Sequence, residues 1–454
     1  MTDQAAPVAP RPTSDVSSAV GLVGLVSLTG WIMICHFWPE LVALFDLPSR
    51  AERLTGPNAA LVGLVACAAP MVLWEVFVNK VHRRASTGID WDKPRPLSEV
   101  IDVSITKLAG LWATWAIIAL FYFVGRWYWE GPYLIAMNVM QVAAVPLFLL
   151  SVPYVLWLDR VLVEPRDPSW HFGALLVGRE PFDPEQVWIH LRAWAVKGFF
   201  TAFMLMIVPG GFQNLVAPDW SNFFLGPVGI ATLLITLMFV IDEQIGSVGY
   251  ILTMKPLDAQ IRSANPYLAG WLAALMCYPP FQMMSPSDRP LFYLADTRGD
   301  DTWFHVFAGY PLMLWIWAAL LVFLTAVYAW ATVPFGIRFS NLTYRGVLTN
   351  GPYAFTRHPA YLAKNTFWWC ASMPFMVDPW SWTNSLRNAF FLGCVSAIYY
   401  WRAKTEERHL LAEDPKYGEY HAWMSRHGAI TAPLTRVSAA LKGRRQVIGG
   451  YAAE

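Results

Sequence analysis

The feature that most constrains this chain is a series of apolar segments, each close to the length of a bilayer crossing. A helix needs about 20 apolar residues to cross the hydrocarbon core. The predicted spans are 20–38, 59–79, 106–125, 133–157, 195–216, 222–241, 266–283, 306–333, 361–377 and 386–401. Backbone polar groups in lipid must be satisfied internally, which favours helices. The predicted fold class is therefore all-α: a polytopic integral membrane protein with about ten transmembrane helices.

The composition agrees with this fold class. Charged residues make up 14% of the 454 residues, whereas soluble domains carry about 25%. The net charge of +1 gives no indication of a nucleic-acid partner. No His or Cys spacing suggests a metal site. The five cysteines lie in apolar segments, which is typical of small buried hydrophobic residues rather than disulfides.

The distribution of Lys and Arg predicts the orientation. Basic residues concentrate after the second, fourth, sixth and eighth predicted spans and in the C-terminal tail, for example Arg83, Arg160 and Arg345. The connections on the other side offer Arg50, Arg53, Arg126, Arg289, Arg298 and Arg387. Because cytoplasmic loops carry the excess of positive charge, both termini are expected in the cytoplasm. The expected location is a bacterial inner membrane.

Changes in composition predict four regions. Residues 1–17 are polar and Pro-rich, and we expect a disordered tail and no cleavable signal peptide. Residues 18–300 form an N-terminal transmembrane region of about seven helices, ending in the polar loop 285–301. A C-terminal module covers 303–432. The basic tail 433–454 either lies on anionic lipid or is a disordered end.

The most informative residues lie in the C-terminal module. They are Gly351-Pro352-Tyr353, then Arg357-His358-Pro359 with Tyr361, then Glu406-Glu407 with Leu410, and finally Tyr417 and Tyr420. This order, with a membrane hairpin between the second and third elements, resembles the isoprenylcysteine carboxyl methyltransferase and phospholipid methyltransferase superfamily. The resemblance covers about 100 residues, less than a quarter of the chain.

The resemblance implies a membrane enzyme that uses S-adenosylmethionine. It places Tyr353, the Arg357-His358-Pro359 segment, Tyr361, and the Glu406-Glu407 pair around the cofactor, and it places Arg402 toward the substrate. The implied acceptor is a lipid or a lipidated molecule that enters from the bilayer. The predicted catalytic residues are Arg357, Arg402 and Glu407.

The chemistry of these residue types is consistent with that cofactor. Arg357 and His358 can donate to its carboxylate, while Glu406 and Glu407 can face its ammonium and sulfonium. Aromatic rings such as Tyr353 can wall the adenine or contact the cation. Taken singly, an Arg-His pair beside a membrane helix is typical of a positive-inside anchor, and exposed glutamates are ordinarily solvated. Their joint occurrence in this order favours a site.

The catalytic demands depend on the acceptor, whose identity stays open. A carboxylate acceptor needs no deprotonation at neutral pH, and Arg402 can orient it. An amine or a phenol needs a base, and Glu407 is the nearby candidate.

Two other functions remain open from the sequence. A membrane lipid reductase of the sterol type, using NADPH, has a similar hairpin and an RHP-like element. The Glu406-Glu407 pair argues against a polyphosphate cofactor. A transporter or non-catalytic scaffold is motivated by the additional N-terminal helices.

Three further features invite a functional interpretation. Asp242-Glu243 closes the sixth predicted span, and intramembrane carboxylates are candidates by default. The stretch Cys277-Tyr-Pro-Pro280 indicates a broken helix, which either lines a cavity or ends the span. The family often has a small residue, typically Gly, two positions after the Tyr of RHPxY, and Ala363 stands there in this chain; the next residue, Lys364, adds charge at the membrane surface and so bears on which head group is preferred.

Overall fold

The structure is a computed structural model that describes residues 10–48, 54–178, 181–216, 220–281, 303–376 and 381–440. Within these residues, seven helices are long and apolar enough to cross a membrane. They span Ser18–His36, Gly56–Val78, Leu97–Gly125, Gly131–Val161, Pro184–Val216, Pro227–Ile251 and Pro311–Arg338. The chain is therefore a helical, multi-span membrane protein, as predicted.

The α-helices of the described residues are α1 Ser18–His36, α2 Trp38–Leu44, α3 Gly56–Leu73, α4 Leu97–Gly125, α5 Leu134–Val161, α6 Pro168–Val177, α7 Pro184–Val216, α8 Pro227–Ile251, α9 Leu268–Leu275, α10 Trp303–Val306, α11 Pro311–Thr332, α12 Pro359–Ser372, α13 Trp382–Glu413 and α14 Pro415–His427. A π-helical turn, Trp74–Val78, extends α3. Residues 431–440 are also helical. Two short strands, β1 Ser263–Ala264 and β2 Thr343–Tyr344, pair antiparallel.

Several helices extend beyond the apolar runs that predicted them. α4 begins at Leu97 rather than at 106, and α7 begins at Pro184 rather than at 195. α8 continues to Ile251, so Asp242 and Glu243 lie within this helix and do not close it. The physical reason is that hydropathy marks the part of a helix suited to lipid, whereas the backbone hydrogen bonds continue past that boundary.

Three predicted spans are not among the seven long apolar helices. The span 266–283 contains α9, whose eight residues rise only about 12 Å. That length is too short to cross a bilayer. In the span 361–377, α12 has 14 residues and ends at Ser372, before Pro374. The third span, 386–401, lies inside α13, whose 32 residues form the second arm of a hairpin with α12.

The main apolar core lies where α1, α3, α7 and α8 pack together with the 3-10 segment Val333–Arg338. Gly21 permits the closest approach in this core, because a Cβ atom there would lie 1.7 Å from the Val333 carbonyl oxygen. The N-terminal helix α1 therefore packs directly against the segment that leads out of α11.

The N-terminal region and the C-terminal module are joined by polar contacts. The β1–β2 pair connects residues 263–264 to 343–344. Arg345, which is 5% exposed, donates to the carbonyl oxygens of Gly249, Leu252, Ile337, Phe339 and Ala259. This guanidinium ties the end of α8 to the loop after α11, so the predicted boundary near residue 300 does not separate two independent packing units.

The sequence predicts that residues 1–17 are disordered, but the second half of this segment makes specific contacts. The backbone N–H of Asp15 donates to the Val347 carbonyl at 2.9 Å, and the Asp15 carboxylate accepts from the Val347 N–H at 2.8 Å. Lys416 pairs with the same carboxylate. These contacts satisfy polar groups and hold the segment against the C-terminal module. Residues 1–9, the predicted loop 285–301 and the tail beyond 440 lie outside the described residues.

Candidate functional site

A cavity of about 200 Å³ lies where the C-terminal module meets α8 and the segment after α9. It is bounded by parts of α8, α11, α12 and α13 and by the loop that joins α11 to α12. Among its lining residues are Val16, Asp242, Cys277, Tyr278, Tyr328, Thr332, Asn341, Tyr353, Arg357, His358, Tyr361, Lys364, Tyr399, Arg402 and Glu406. Six of the eight residues predicted to bind the cofactor or to act in catalysis line this cavity. Pro359 and Glu407 do not line it.

Tyr353 is held as a wall of the cavity by a tight turn. The turn is a 3-10 segment, Gly351–Ala354, in which Gly351 takes a positive φ of 58° that favours glycine. The Tyr353 hydroxyl donates to the Ala331 carbonyl at 3.2 Å, and its own carbonyl accepts from the Tyr420 hydroxyl at 2.7 Å. Both ends of this residue are therefore fixed. Burial raises the pKa of Tyr353 well above its ordinary value, so the phenol stays neutral.

The Arg357-His358-Pro359 segment sets the start of α12. His358 is the N-cap residue and Pro359 is the first helical residue, where the missing N–H costs no hydrogen bond. The His358 ring stacks near the Tyr361 ring, with centroids 5.8 Å apart. Pro359 thus fixes the backbone at the start of α12, next to Arg357 and His358, which line the cavity. Pro359 itself does not line it.

Glu407 is enclosed by basic side chains. Arg357 Nε lies 3.2 Å from Glu407 Oε1, His358 Nε2 lies 2.9 Å from the same oxygen, and Lys404 Nζ lies 2.6 Å from Oε2. Burial acts to raise the pKa of this carboxyl, but the hydrogen bond from His358 and the other basic groups around it outweigh burial and hold the pKa far below its ordinary value. Glu407 therefore positions Arg357 and His358. The predicted role as a general base does not fit a carboxylate this hard to protonate.

Glu406 has the opposite orientation and lines the cavity. It accepts a hydrogen bond from the Tyr361 hydroxyl, and Arg402 Nε lies 3.4 Å from its Oε1. Its side chain is 22% exposed, whereas that of Glu407 is 6% exposed. Of the two adjacent glutamates, Glu406 is the one that can meet a cationic ligand.

Arg402 lines the cavity and is 2% exposed. It donates to the Tyr278 hydroxyl at 3.0 Å and to Asn341 Oδ1 at 2.6 Å. Its guanidinium carbon lies 5.2 Å from the ring centroid of Tyr278 and 5.3 Å from that of Tyr361. Two rings and three polar partners therefore hold this cation in one orientation.

The sequence reasoning missed some of these partners. Asn341 lies ten positions before Gly351, where the motif begins, and the sequence indicates Tyr278 only as part of a broken helix. Thr332 donates to Asp242 inside the cavity, and Tyr328 and Asp242 both line it. In the sequence, the involvement of Thr332 and Tyr328 is indicated only by the presence of two polar side chains at the same end of an otherwise apolar span.

The lining offers a mixed set of groups. Arg357 and His358 can donate to an anion, Glu406 can accept from a cation, and several tyrosines supply aromatic faces. Among the residues that the structure describes, no group of three or more His, Cys, Asp or Glu side chains is placed to hold a metal ion.

Comparisons with protein-family models, with curated proteins and with solved structures find no match to this chain.

Proposed function

We propose that this protein transfers a methyl group from S-adenosylmethionine to a lipid-borne acceptor at the cytoplasmic interface of the membrane. The observation that carries the proposal is the convergence of Tyr353, Arg357, His358 and Tyr361 from the α12 side with Arg402 and Glu406 from α13 on one cavity. These residues are the ones that the family resemblance names. Their side chains come from segments about 40 residues apart in the chain.

The lining residues suit the parts of S-adenosylmethionine, which supplies an electrophilic methyl group on a sulfonium. Arg357 and His358 offer donors for its carboxylate. Glu406 offers the carboxylate for its cationic centre, because Glu407 is already paired with Arg357, His358 and Lys404. Tyr353 and Tyr361 offer aromatic faces for the adenine.

The position of the cavity suits an acceptor that arrives from the bilayer. One part of its lining comes from the motif loop, and another comes from Asp242 and Tyr328 on apolar helices. A water-soluble donor and an apolar acceptor can thus meet in one chamber. The contribution to the rate comes from alignment of the two and from exclusion of water.

The proposal is tested by ligand titration of the protein in lipid nanodiscs. S-adenosylmethionine and S-adenosylhomocysteine are expected to bind, and Arg357→Gln is expected to weaken both. Arg426→Gln, at an exposed position outside the cavity, serves as the control and is expected to bind like the wild type. Binding of NADPH without binding of S-adenosylmethionine would overturn the proposal and favour a reductase.

Transfer itself is measured with S-adenosylmethionine labelled in the methyl group. Label that moves into the organic phase of a total lipid extract supports a lipid acceptor. Label that stays in the aqueous phase, despite saturated cofactor binding, contradicts it.

A further inference from the structure

Asp242, Thr332, Tyr328 and Lys364 form a polar group inside the otherwise apolar part of the cavity. Asp242 is 7% exposed and lies about 14 Å of helix rise before the end of α8 at Ile251. Thr332 donates to its carboxylate, and Tyr328 lines the same cavity. Lys364 Nζ lies 4.9 Å from the ring centroid of Tyr328. A carboxylate, an ammonium and a phenol thus line one cavity.

This group is separate from the residues that suit the methyl donor, yet it lines the same cavity. Asp242 comes from α8, and Tyr328 and Thr332 come from α11, both of which are apolar enough to cross a membrane. A carboxylate at this depth is costly unless it has a function or a partner. The lining of the same cavity also includes the aromatic residues Tyr278, Tyr361 and Tyr399.

On these grounds, which rest on the proposed function, we infer that the acceptor is a lipid carrying a phenolic hydroxyl, with Asp242 as the base and Lys364 beside the oxygen. A carboxylate acceptor would be repelled by Asp242, and a protonated amine would be repelled by Lys364. A neutral hydroxyl avoids both repulsions. A phenol ring also fits the aromatic wall, since aromatic pairs gain from offset or edge contacts.

The step balances without a further reactant. The phenol O–H bond breaks as its proton passes to the Asp242 carboxylate, and the oxygen forms a bond to the donor methyl carbon. The carbon–sulfur bond breaks and its electron pair stays on sulfur, which becomes a neutral thioether. Lys364 stabilises the negative charge that develops on the oxygen.

The test uses three synthetic acceptors with the same prenyl tail, ending in a phenol, a primary amine or a carboxylic acid. Each is supplied to the full chain in nanodiscs with methyl-labelled S-adenosylmethionine. We expect label in the phenol. Methylation of the amine or the acid without methylation of the phenol would overturn the inference while leaving the proposed function intact. Absence of S-adenosylmethionine binding would overturn both, so the two failures can be told apart.

The role of Asp242 is tested with Asp242→Asn, which should still bind S-adenosylmethionine and so report an intact fold. Its kcat for the phenol is expected to fall about 100-fold. Its rate should then rise about tenfold per pH unit toward the ordinary phenol pKa of about 10, because the acceptor must ionise unaided. An electron-poor phenol that is already ionised should largely restore the rate. Glu243→Gln, which alters the neighbouring carboxylate outside the cavity lining, should keep the wild-type rate.

A binding readout completes the test. Without the methyl donor, quenching of tryptophan fluorescence by the prenylated phenol should show weaker binding in Asp242→Asn than in Glu243→Gln. Equal phenol turnover by Asp242→Asn and the wild type would overturn the inference.

Discussion

Tyr361 donates its hydroxyl hydrogen to the Glu406 carboxylate and thereby joins the first turn of α12 to α13. Arg402, one turn earlier on α13, lies 3.4 Å from the same carboxylate. The next residue, Glu407, lies away from the cavity and pairs with Arg357, His358 and Lys404. Two adjacent glutamates therefore have different surroundings: Glu406 lines the cavity, and Glu407 pairs with basic residues beside it.

This difference predicts different phenotypes for the two glutamine variants. Glu407→Gln leaves Arg357, whose side chain is 10% exposed, without its counter-charge, so we expect the free energy of unfolding to fall by about 3 kcal/mol. Glu406→Gln also removes a charge from beside Arg402, but its distinguishing effect should be about 30-fold weaker binding of S-adenosylmethionine, which corresponds to the loss of about 2 kcal/mol from a charged contact. Thermal unfolding and calorimetric titration of both variants measure this. Identical behaviour of the two variants would contradict the division of roles.

His409 predicts a pH dependence of stability. This residue is 2% exposed, and its Nε2 lies 3.0 Å from Ser263 Oγ. Burial lowers the pKa of His409 from 6.5 to about 4. Between these two values the unfolded chain binds more protons than the folded chain, so stability is greatest above pH 6.5, falls as the pH drops toward about 4, and then levels off.

The measurement is the free energy of unfolding across that pH range for the wild type and for His409→Gln. The variant has no titrating ring, so its curve should be flatter between pH 6.5 and about 4. The quantity of interest is the difference between the two proteins in the slope of unfolding free energy against pH, because the other groups titrate equally in both. Parallel curves would show that His409 is not the group responsible.

Replacement of Arg345 is expected to cause a large loss of stability, even when the replacement is lysine. Its guanidinium donates to five backbone carbonyls from the end of α8 and the loops around it. Arg345→Lys offers a compact ammonium that cannot reach carbonyls on several sides, so buried acceptors lose their donors. We expect both Arg345→Ala and Arg345→Lys to lower the unfolding free energy by at least about 3 kcal/mol. Arg426→Ala, at an exposed position, should change it by less than about 0.5 kcal/mol.

The positions of the helices could be predicted from the sequence, whereas their exact ends and the contacts between them could not. The apolar runs were sufficient to find the seven long helices, because lipid demands a long uninterrupted stretch. They did not show that α8 continues past Asp242 to Ile251, since a polar pair ends an apolar run without ending the backbone hydrogen bonds.

The same limit applies to the candidate site. Arg357, His358 and Glu406 could be selected from their residue types and order along the chain. Tyr278 could not, because it meets Arg402 across 124 positions of sequence and nothing local indicates that contact. The inward and outward orientations of Glu406 and Glu407 are set by the rotation of α13 against α12, which neighbouring letters in a sequence do not reveal.

Gly249 connects the packing of α8 to the geometry of the site. A Cβ atom at this position would lie 2.3 Å from the Phe339 carbonyl oxygen and 2.9 Å from the Phe339 carbonyl carbon. Both are backbone atoms, so the loop itself would have to move. That loop carries Asn341, which accepts from Arg402 at 2.6 Å. Gly249→Ala is therefore expected to displace a partner of Arg402 as well as to strain the helix contact.

The matched control is Gly210→Ala on α7, where an added Cβ meets nothing within 4 Å. Alanine is preferred over glycine inside a helix by up to about 1 kcal/mol, so this variant should be as stable as the wild type or slightly more stable. Gly249→Ala should unfold at lower temperature and bind S-adenosylmethionine more weakly, even though position 249 is not part of the cavity lining. If Gly249→Ala lost stability but bound the ligand with unchanged affinity, Asn341 would not be positioning Arg402 for binding. If both alanine variants behaved alike, the close approach of α8 to Phe339 would itself be wrong.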